Sequence, residues 1–351
     1  MILFTINIFG PLLLIFSTNV SYATSSASPI ANGLHNKSSV TQLPAKPFYL
    51  FPNGKQAENI KVRSNGQILV TLDTAPELYQ IDPSRNQTGG PAQHFSGYSS
   101  LFGIVELIID VFYVIASNFS GPPDYHGIEG SVSLFEVDLQ DFPDPTAFES
   151  SVRVSKIVDV PEAQLLDGLA IVNQTEGLLI SGDAPTGTLY LLDVKKRTVN
   201  AVCHDELLEG TSNSISAGLG HVGVNGLQFR NGVLFFTNIA KGLYGQIPID
   251  SATGGITGEV SIIADYGTYV DDLSFDSLGN QFIAEDENGI LLRPADATVA
   301  NNRTRLLALL PGADSSAFGR TAYDRCTLYA TYAGSISGVA SIDVGREGYC
   351  N

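Results

Sequence analysis

One phrase recurs along the chain. A polar, turn-forming pair runs into a short apolar strand, then a second strand, then a third that ends near an acid. It reads Glu58-Asn59-Ile60 ahead of VRSNGQILVTL and LYQIDP, and Asp167-Gly168-Leu169 ahead of AIVNQTEGLLISGD and TLYLLDV. It returns as Asn225-Gly226-Leu227 ahead of QFRNGVLFFTN, and as Asp271-Asp272-Leu273 ahead of SFDSLGNQFIAEDENGILLRPAD. A unit this small leaves one face and both edges uncovered, so copies must pack against one another. Six units start near Glu58, Phe102, Asp167, Asn225, Asp271 and Ser316, and the last three intervals are 58, 46 and 45 residues. Units of about 45 residues with four strands each are the mark of propeller blades. The predicted fold is therefore all-β, a single six-bladed β-propeller over residues 46–351. The strand KPFYLFP precedes the first unit, and the last unit is one strand short. The N-terminal strand is predicted to complete the last blade and close the ring.

The segment ahead of the propeller has a different composition. Residues 1–16 are almost wholly apolar, and Ser21-Tyr22-Ala23 follows as a small-x-small cleavage signal. Residues 1–23 are read as a secretory signal peptide and 24–45 as a flexible Ser/Asn/Pro-rich leader. Sequons at Asn36, Asn86, Asn118, Asn173 and Asn302 agree with a secreted glycoprotein. Cys326 and Cys350 fall in the last unit and are expected to pair in an oxidising compartment, leaving Cys203 as a buried thiol. A net charge of −17 argues against nucleic acid as a partner. The run SLFGIVELIIDVFYVIASNF is interrupted by Glu106 and Asp110, so two buried strands broken near Asp110 are predicted rather than a membrane span.

In a propeller the innermost strand of each blade lines a central channel, and the residue just before it sits at the rim. Glu58, Asp167, Asn225 and Asp271 (or Asp272) hold that position in four of the six units. Four converging oxygens suit a hard cation such as Ca²⁺. They equally suit an acid cluster whose mutual repulsion raises a pKa. Asp-Gly and Asn-Gly are also ordinary turn signals. His221, Tyr269 and the Tyr125-His126 loop are further candidates near the channel mouth, with Arg320 and Tyr332 as walls from the last unit. There is no GxSxG, CxxC pair, HExxH or phosphate-binding glycine loop, so serine-hydrolase, redox, zincin and nucleotide chemistry have no support.

VNGLQF with GVLFFTN, and VDDLSFDSLGNQFIAE, resemble the strand pairs of the regucalcin/gluconolactonase-like superfamily of six-bladed propellers over about residues 46–345. Metal-dependent members hold one Ca²⁺-type ion, and the resemblance places its ligands on Glu58, Asp167, Asn225 and Asp271. The chain departs from that pattern. Asn-Ile-Lys follows Glu58 in place of Gly-Pro-x-Trp, Asp167 stands where Asn is usual, and Asp272 stands where Gly is usual. AENIKVRSNGQILVTL and GIVELIIDVFYVIASNF are similar to a secreted fungal branch that includes hetero-Diels–Alderases. That branch implies a cofactor-independent cyclisation joining two small apolar organic partners. The expected pocket is Glu58, Asp167, Asn225 and Tyr125, with His221, Tyr269, Asp272 and Arg320 as the catalytic candidates. The alternatives are a Ca²⁺-dependent lactonase or esterase and a non-catalytic binding propeller.

Overall fold

The computed structural model describes residues 42–121, 125–142, 152–212, 214–215 and 221–350. The predicted signal peptide, most of the leader and the Asn36 sequon lie outside the described residues.

The repeated phrase becomes six four-stranded antiparallel sheets. Five of the six blades run in chain order from the innermost strand outwards, as alternating apolar runs separated by Gly- and Asn-containing turns require. The innermost strands are Ala57–Val62, Ser100–Ile108, Leu166–Asn173, Val224–Arg230, Val270–Phe275 and Ala313–Phe318. Consecutive ones lie side by side, and the first also packs on the last, so the ring is closed. The second strands are the most apolar: Ile68–Leu72, Leu178–Asp183 and Gln281–Glu285 are buried along their whole length. Outer strands such as Arg153–Asp159 and Thr198–His204 present mostly polar side chains to solvent. Between blades the apolar faces interlock, as where Ala170 and Ile180 of blade 3 meet Leu234 and Phe236 of blade 4.

The ring closes as predicted. Ala45–Leu50 pairs antiparallel with Gly338–Asp343 and becomes the outer strand of blade 6. The packed chain begins slightly earlier than the expected boundary at Lys46, because Leu43 is buried and bridges Ala308 of blade 5. Cys326 and Cys350 form the expected disulfide. It holds the tail against blade 5 rather than at the seam with the first strand: the Cys350 carbonyl accepts from Ser277 N and Oγ, and Tyr349 packs edge-on to Phe282. A disulfide is compatible with secretion. Among the described residues no helix is long and apolar enough to cross a membrane.

The apolar run of blade 2 splits as expected into Ser100–Ile108 and Val111–Ser117, with Asp110 at a positive φ of 60° in the turn. Asp110 also holds the fully buried Arg63 by a 2.8 Å ion pair. Arg63 donates further to Gln80 Oε1 and to the carbonyls of Phe142 and Leu139, which ties blades 1 and 2 together. A buried guanidinium is tolerable only with its donors matched in this way.

Candidate active site: an acid ring against an apolar wall

Every innermost strand carries the same irregularity. Its pairing with the second strand slips between Ala57 and Ile60, Leu101 and Ile104, Leu166 and Leu169, Val224 and Leu227, Val270 and Leu273, and Ala313 and Ser316. A bulge of this kind re-aims a side chain out of the sheet. The first residue of each slip is Glu58, Phe102, Asp167, Asn225, Asp271 or Asp314, and all six line one cavity. The bulge, not a turn before the strand, is what places the polar pair.

Hydroxyls on the second strands fix the bulges. Thr71 Oγ1 accepts from Asn59 N at 3.0 Å, Ser181 Oγ donates to the Gly168 carbonyl at 2.7 Å, and Thr237 Oγ1 accepts from Gly226 N at 2.9 Å. Thr331 Oγ1 accepts from Ser315 N at 3.0 Å and donates to the Glu58 carbonyl at 2.8 Å, so it joins blade 6 to blade 1. Thr237 donates in the same way to the Asp271 carbonyl. Glycine is required at the second bulge position where neighbouring blades come closest: a Cβ on Gly168 would lie 2.1 Å from the Asn225 carbonyl oxygen.

The cavity has a volume of about 410 Å³. That falls in the range of about 300–1,000 Å³ usual for small-molecule sites. Its two sides differ. Phe102, Phe119, Leu165, Val222 and Ile239 form one apolar wall, belonging to a single cluster on which Tyr125 and Tyr269 also pack. Phe119 and Tyr125 are carried by a short hairpin, Phe119–Ser120 with His126–Gly127, inserted in blade 2. Facing them are six carboxyls, Glu58, Asp73, Asp167, Asp271, Asp286 and Asp314, with no lysine or arginine among the described lining residues.

Burial and crowding govern these acids. Burial, then the charges of Asp167, Asp271 and Asp314, holds Glu58 well above the usual carboxylate range. Asp271 and Asp314 are held well above it too, by burial first and by their acidic neighbours second. Asp73 and Asp167 are each pushed up to about 7, chiefly by burial. The cluster therefore retains protons near neutrality. A protonated acid can donate to its neighbour, which matters here: Asp73 Oδ1, Asp167 Oδ1, Asp271 Oδ1, Asp314 Oδ2 and Asn225 Oδ1 are buried oxygens with no hydrogen-bond partner among the described residues. Asn225 Nδ2 donates to Asp167 Oδ2 at 3.0 Å. The Tyr269 phenol is held protonated, by burial first and then by Asp271 and Asp314.

The donor set of Glu58, Asp167, Asn225 and Asp271 is chemically suited to a hard cation. Among the described residues no three His, Cys, Asp or Glu side chains come close enough together to share a metal ion, while Asp167 Oδ1, Asn225 Oδ1 and Asp271 Oδ1 are left without a hydrogen-bond partner there. Asn225 donates only its Nδ2 to Asp167.

The structure gathers Glu58, Asp167, Asn225, Asp271, Tyr125 and Tyr269 from the predicted set. Three predicted catalytic residues fall elsewhere. His221 is exposed, and only its neighbour Val222 reaches the cavity. Asp272, the second residue of its bulge, points behind the lining and accepts from Ser315 Oγ at 2.6 Å. Arg320 lies at the other end of the channel, where it pairs with Glu106 and donates to the Val62 carbonyl. Tyr332 belongs to the blade 6 core. Asp314 was missed because the last unit was started at Ser316; the Asp-Ser pair of ADSSAF, 43 residues after Asp271, marks the slot. Asp73 and Asp286 reach the cavity from the ends of second strands, positions the repeat does not single out.

No family model matches the chain. It is 27% identical over 318 residues to a protein of Phoma sp named "putative hetero-Diels-Alderase", covering 82% of this chain and 86% of the relative. It is 24% identical over 327 residues to a protein of Sarocladium schorii named in the same way, covering 82% and 78%. Among solved structures, a luciferin-regenerating enzyme matches with a TM-score of 0.61 at 16% identity, covering 85% of this chain and 94% of that one. The calcium-binding protein regucalcin of Agrobacterium tumefaciens gives 0.56 at 15% identity, covering 86% and 95%. A protein titled putative gluconolactonase gives 0.55 at 14%, covering 85% and 97%. These structural matches speak to the fold alone. The chain is thus a six-bladed propeller of regucalcin- and gluconolactonase-like architecture whose sequence resembles proteins named as hetero-Diels–Alderases.

Proposed function

We propose that the chain is a cofactor-independent cyclase that joins an apolar terpenoid alkene to a quinone methide-like partner by a hetero-Diels–Alder [4+2] reaction in the central cavity. Two π bonds are consumed, and one C–C and one C–O bond form. No atom leaves and no electron acceptor is needed, so the protein's task is orientation and polarisation.

The observation that carries this reading is the position of Tyr269. Its ring packs on the apolar wall, while its hydroxyl has no partner among the described residues and lies beside the acids. An alkene partner would rest on Phe102, Leu165, Val222 and Ile239. The carbonyl of the heterodiene would accept from the Tyr269 hydroxyl, with protonated Glu58 or Asp271 as a second donor. Such donation draws electron density toward the carbonyl oxygen and lowers the barrier to the inverse-demand addition. The names of the curated relatives support the same class of reaction.

Tyr269→Phe tests the assignment. It keeps the ring on the wall and removes the donor. The turnover number is expected to fall about 10- to 100-fold, with KM changed little. An unchanged turnover number would remove Tyr269 from the mechanism.

A Ca²⁺-dependent lactonase is the second reading. The unpartnered oxygens of Asp167, Asn225 and Asp271 favour it, while the spacing of the carboxyls does not. Elemental analysis separates the two: stoichiometric Ca²⁺ lost with activity in EDTA would establish the lactonase type and overturn the metal-free cyclase.

A further inference from the structure

The innermost strands have a second end. Lys61 follows Glu58 by three residues on the first of them, which places it about 10 Å further along the channel. There two adjoining cavities of about 340 and 280 Å³ share Lys61, Gln228, Phe229, Ala317 and Phe318. Arg320 lines one and Arg230 the other. Among the described residues the sole carboxylate in either lining is Glu106, and it is already paired with Arg320. In a chain of net charge −17, this mouth is a local excess of positive charge.

Lys61 is the unusual member. Lys55, Lys156, Lys195 and Lys196 each have an acidic partner, Lys241 donates to the Glu206 carbonyl, and Lys46 is exposed. Lys61 is partly buried, and its amine makes no ion pair or hydrogen bond with any described residue. Asp272 acts on it only through its field and is itself engaged by Ser315 Oγ and Leu273 N. Burial accordingly pulls the Lys61 amine below its usual range. Other donors here are also free. Gln228 has no hydrogen-bonding partner for its side chain among the described residues. The Ser274 and Ser316 hydroxyls face each other at 2.8 Å, so one of the two protons remains available. The walls beside these donors are aromatic, from Phe229 and Phe318.

We propose that this second mouth binds a small organic carboxylate carried on an apolar body, with Lys61 as its counter-ion. The carboxylate supplies the acceptor that Lys61 and Gln228 lack, and the apolar body covers Phe229 and Phe318. The acid-lined cavity at the other mouth offers the same ligand no cationic partner among its described lining residues, so the two ends of one channel select different chemistry. This site is independent of the reaction assigned to the acid-lined cavity.

Calorimetric titration of the purified protein with octanoate at pH 7 tests the proposal, with acetate and octylamine as controls. Octanoate is expected to bind saturably, acetate much more weakly, and octylamine not at this site. Lys61→Met, which keeps the apolar shaft, is expected to weaken octanoate by at least about tenfold. Lys61→Arg keeps the charge and is expected to stay within about threefold. In the wild-type protein, octanoate is expected to slow reductive methylation of Lys61 and not of exposed Lys46, a readout that needs no variant to fold. Absence of saturable binding, equal affinity in a folded Lys61→Met protein, or failure to protect Lys61 would each overturn the proposal.

Discussion

Asp167→Asn should make the protein more stable at alkaline pH. Asp167 is buried and its carboxyl is raised from an ordinary 3.8 to about 7 in the fold. Between those values the folded chain keeps a proton that the unfolded chain has released. The folded state thus binds more protons, and stability falls as pH rises through that window. Below pH 4 both states are protonated and Asp167 is neutral in its effect; above pH 7 the whole penalty is present. About three units at roughly 1.4 kcal/mol per unit set that penalty near 4 kcal/mol. Asparagine cannot ionise, and its carbonyl oxygen can still accept from Asn225 Nδ2, now at 3.0 Å from Asp167. The penalties that Asp167 shares with Asp271 and Glu58 also relax. We expect the variant to match the wild type at pH 4 and to exceed it by about 2–4 kcal/mol at pH 8. The chain has no tryptophan, so urea unfolding would be followed by circular dichroism at several pH values. A variant that is less stable at pH 8 would refute the reasoning. It would mean that the ionised carboxylate is held by a favourable partner, and a bound cation is the natural one.

Two further predictions concern what holds the site. Thr331→Val leaves Ser315 N without its partner and the Glu58 carbonyl without its donor. It should destabilise the protein by about 1–3 kcal/mol and raise KM for the bulkier substrate, readable by urea titration and steady-state kinetics. Replacing both Cys326 and Cys350 by serine frees a loop of sequence separation 24. The loss should be about 3 kcal/mol, read as a lower unfolding midpoint that reductant no longer shifts.

The architecture was legible because the repeat is physical. Most blades carry a polar residue at the bulge, an apolar second strand and a glycine turn, and those features recur every 45 residues or so. The missing strand of the last unit pointed directly to closure by residues 45–50. The site was legible at the bulge residues Glu58, Asp167, Asn225 and Asp271 and at the neighbouring Tyr125 and Tyr269. Asp73 and Asp286 reach the cavity from strand ends, where an acid reads as an ordinary turn residue. Arg320 looked like a cavity wall because proximity to the inner strand was legible, while the end of the strand it would occupy was not. It follows Phe318 at the far end, and its charge is met there by Glu106. Arg63 in VRSNG reads as a solvated turn residue, yet it is buried because Asp110, 47 residues on, folds back on it.

We propose that the cavity between the apolar wall and the acid ring orients two apolar partners for cyclisation without a metal. The most direct test generates a quinone methide in the presence of a cyclic terpene, with the purified protein and with EDTA added, and separates the products by chiral chromatography. A metal-free cyclase gives multiple turnovers, enrichment of one stereoisomer over the uncatalysed mixture, and no change with EDTA. A product mixture identical with and without protein would contradict it.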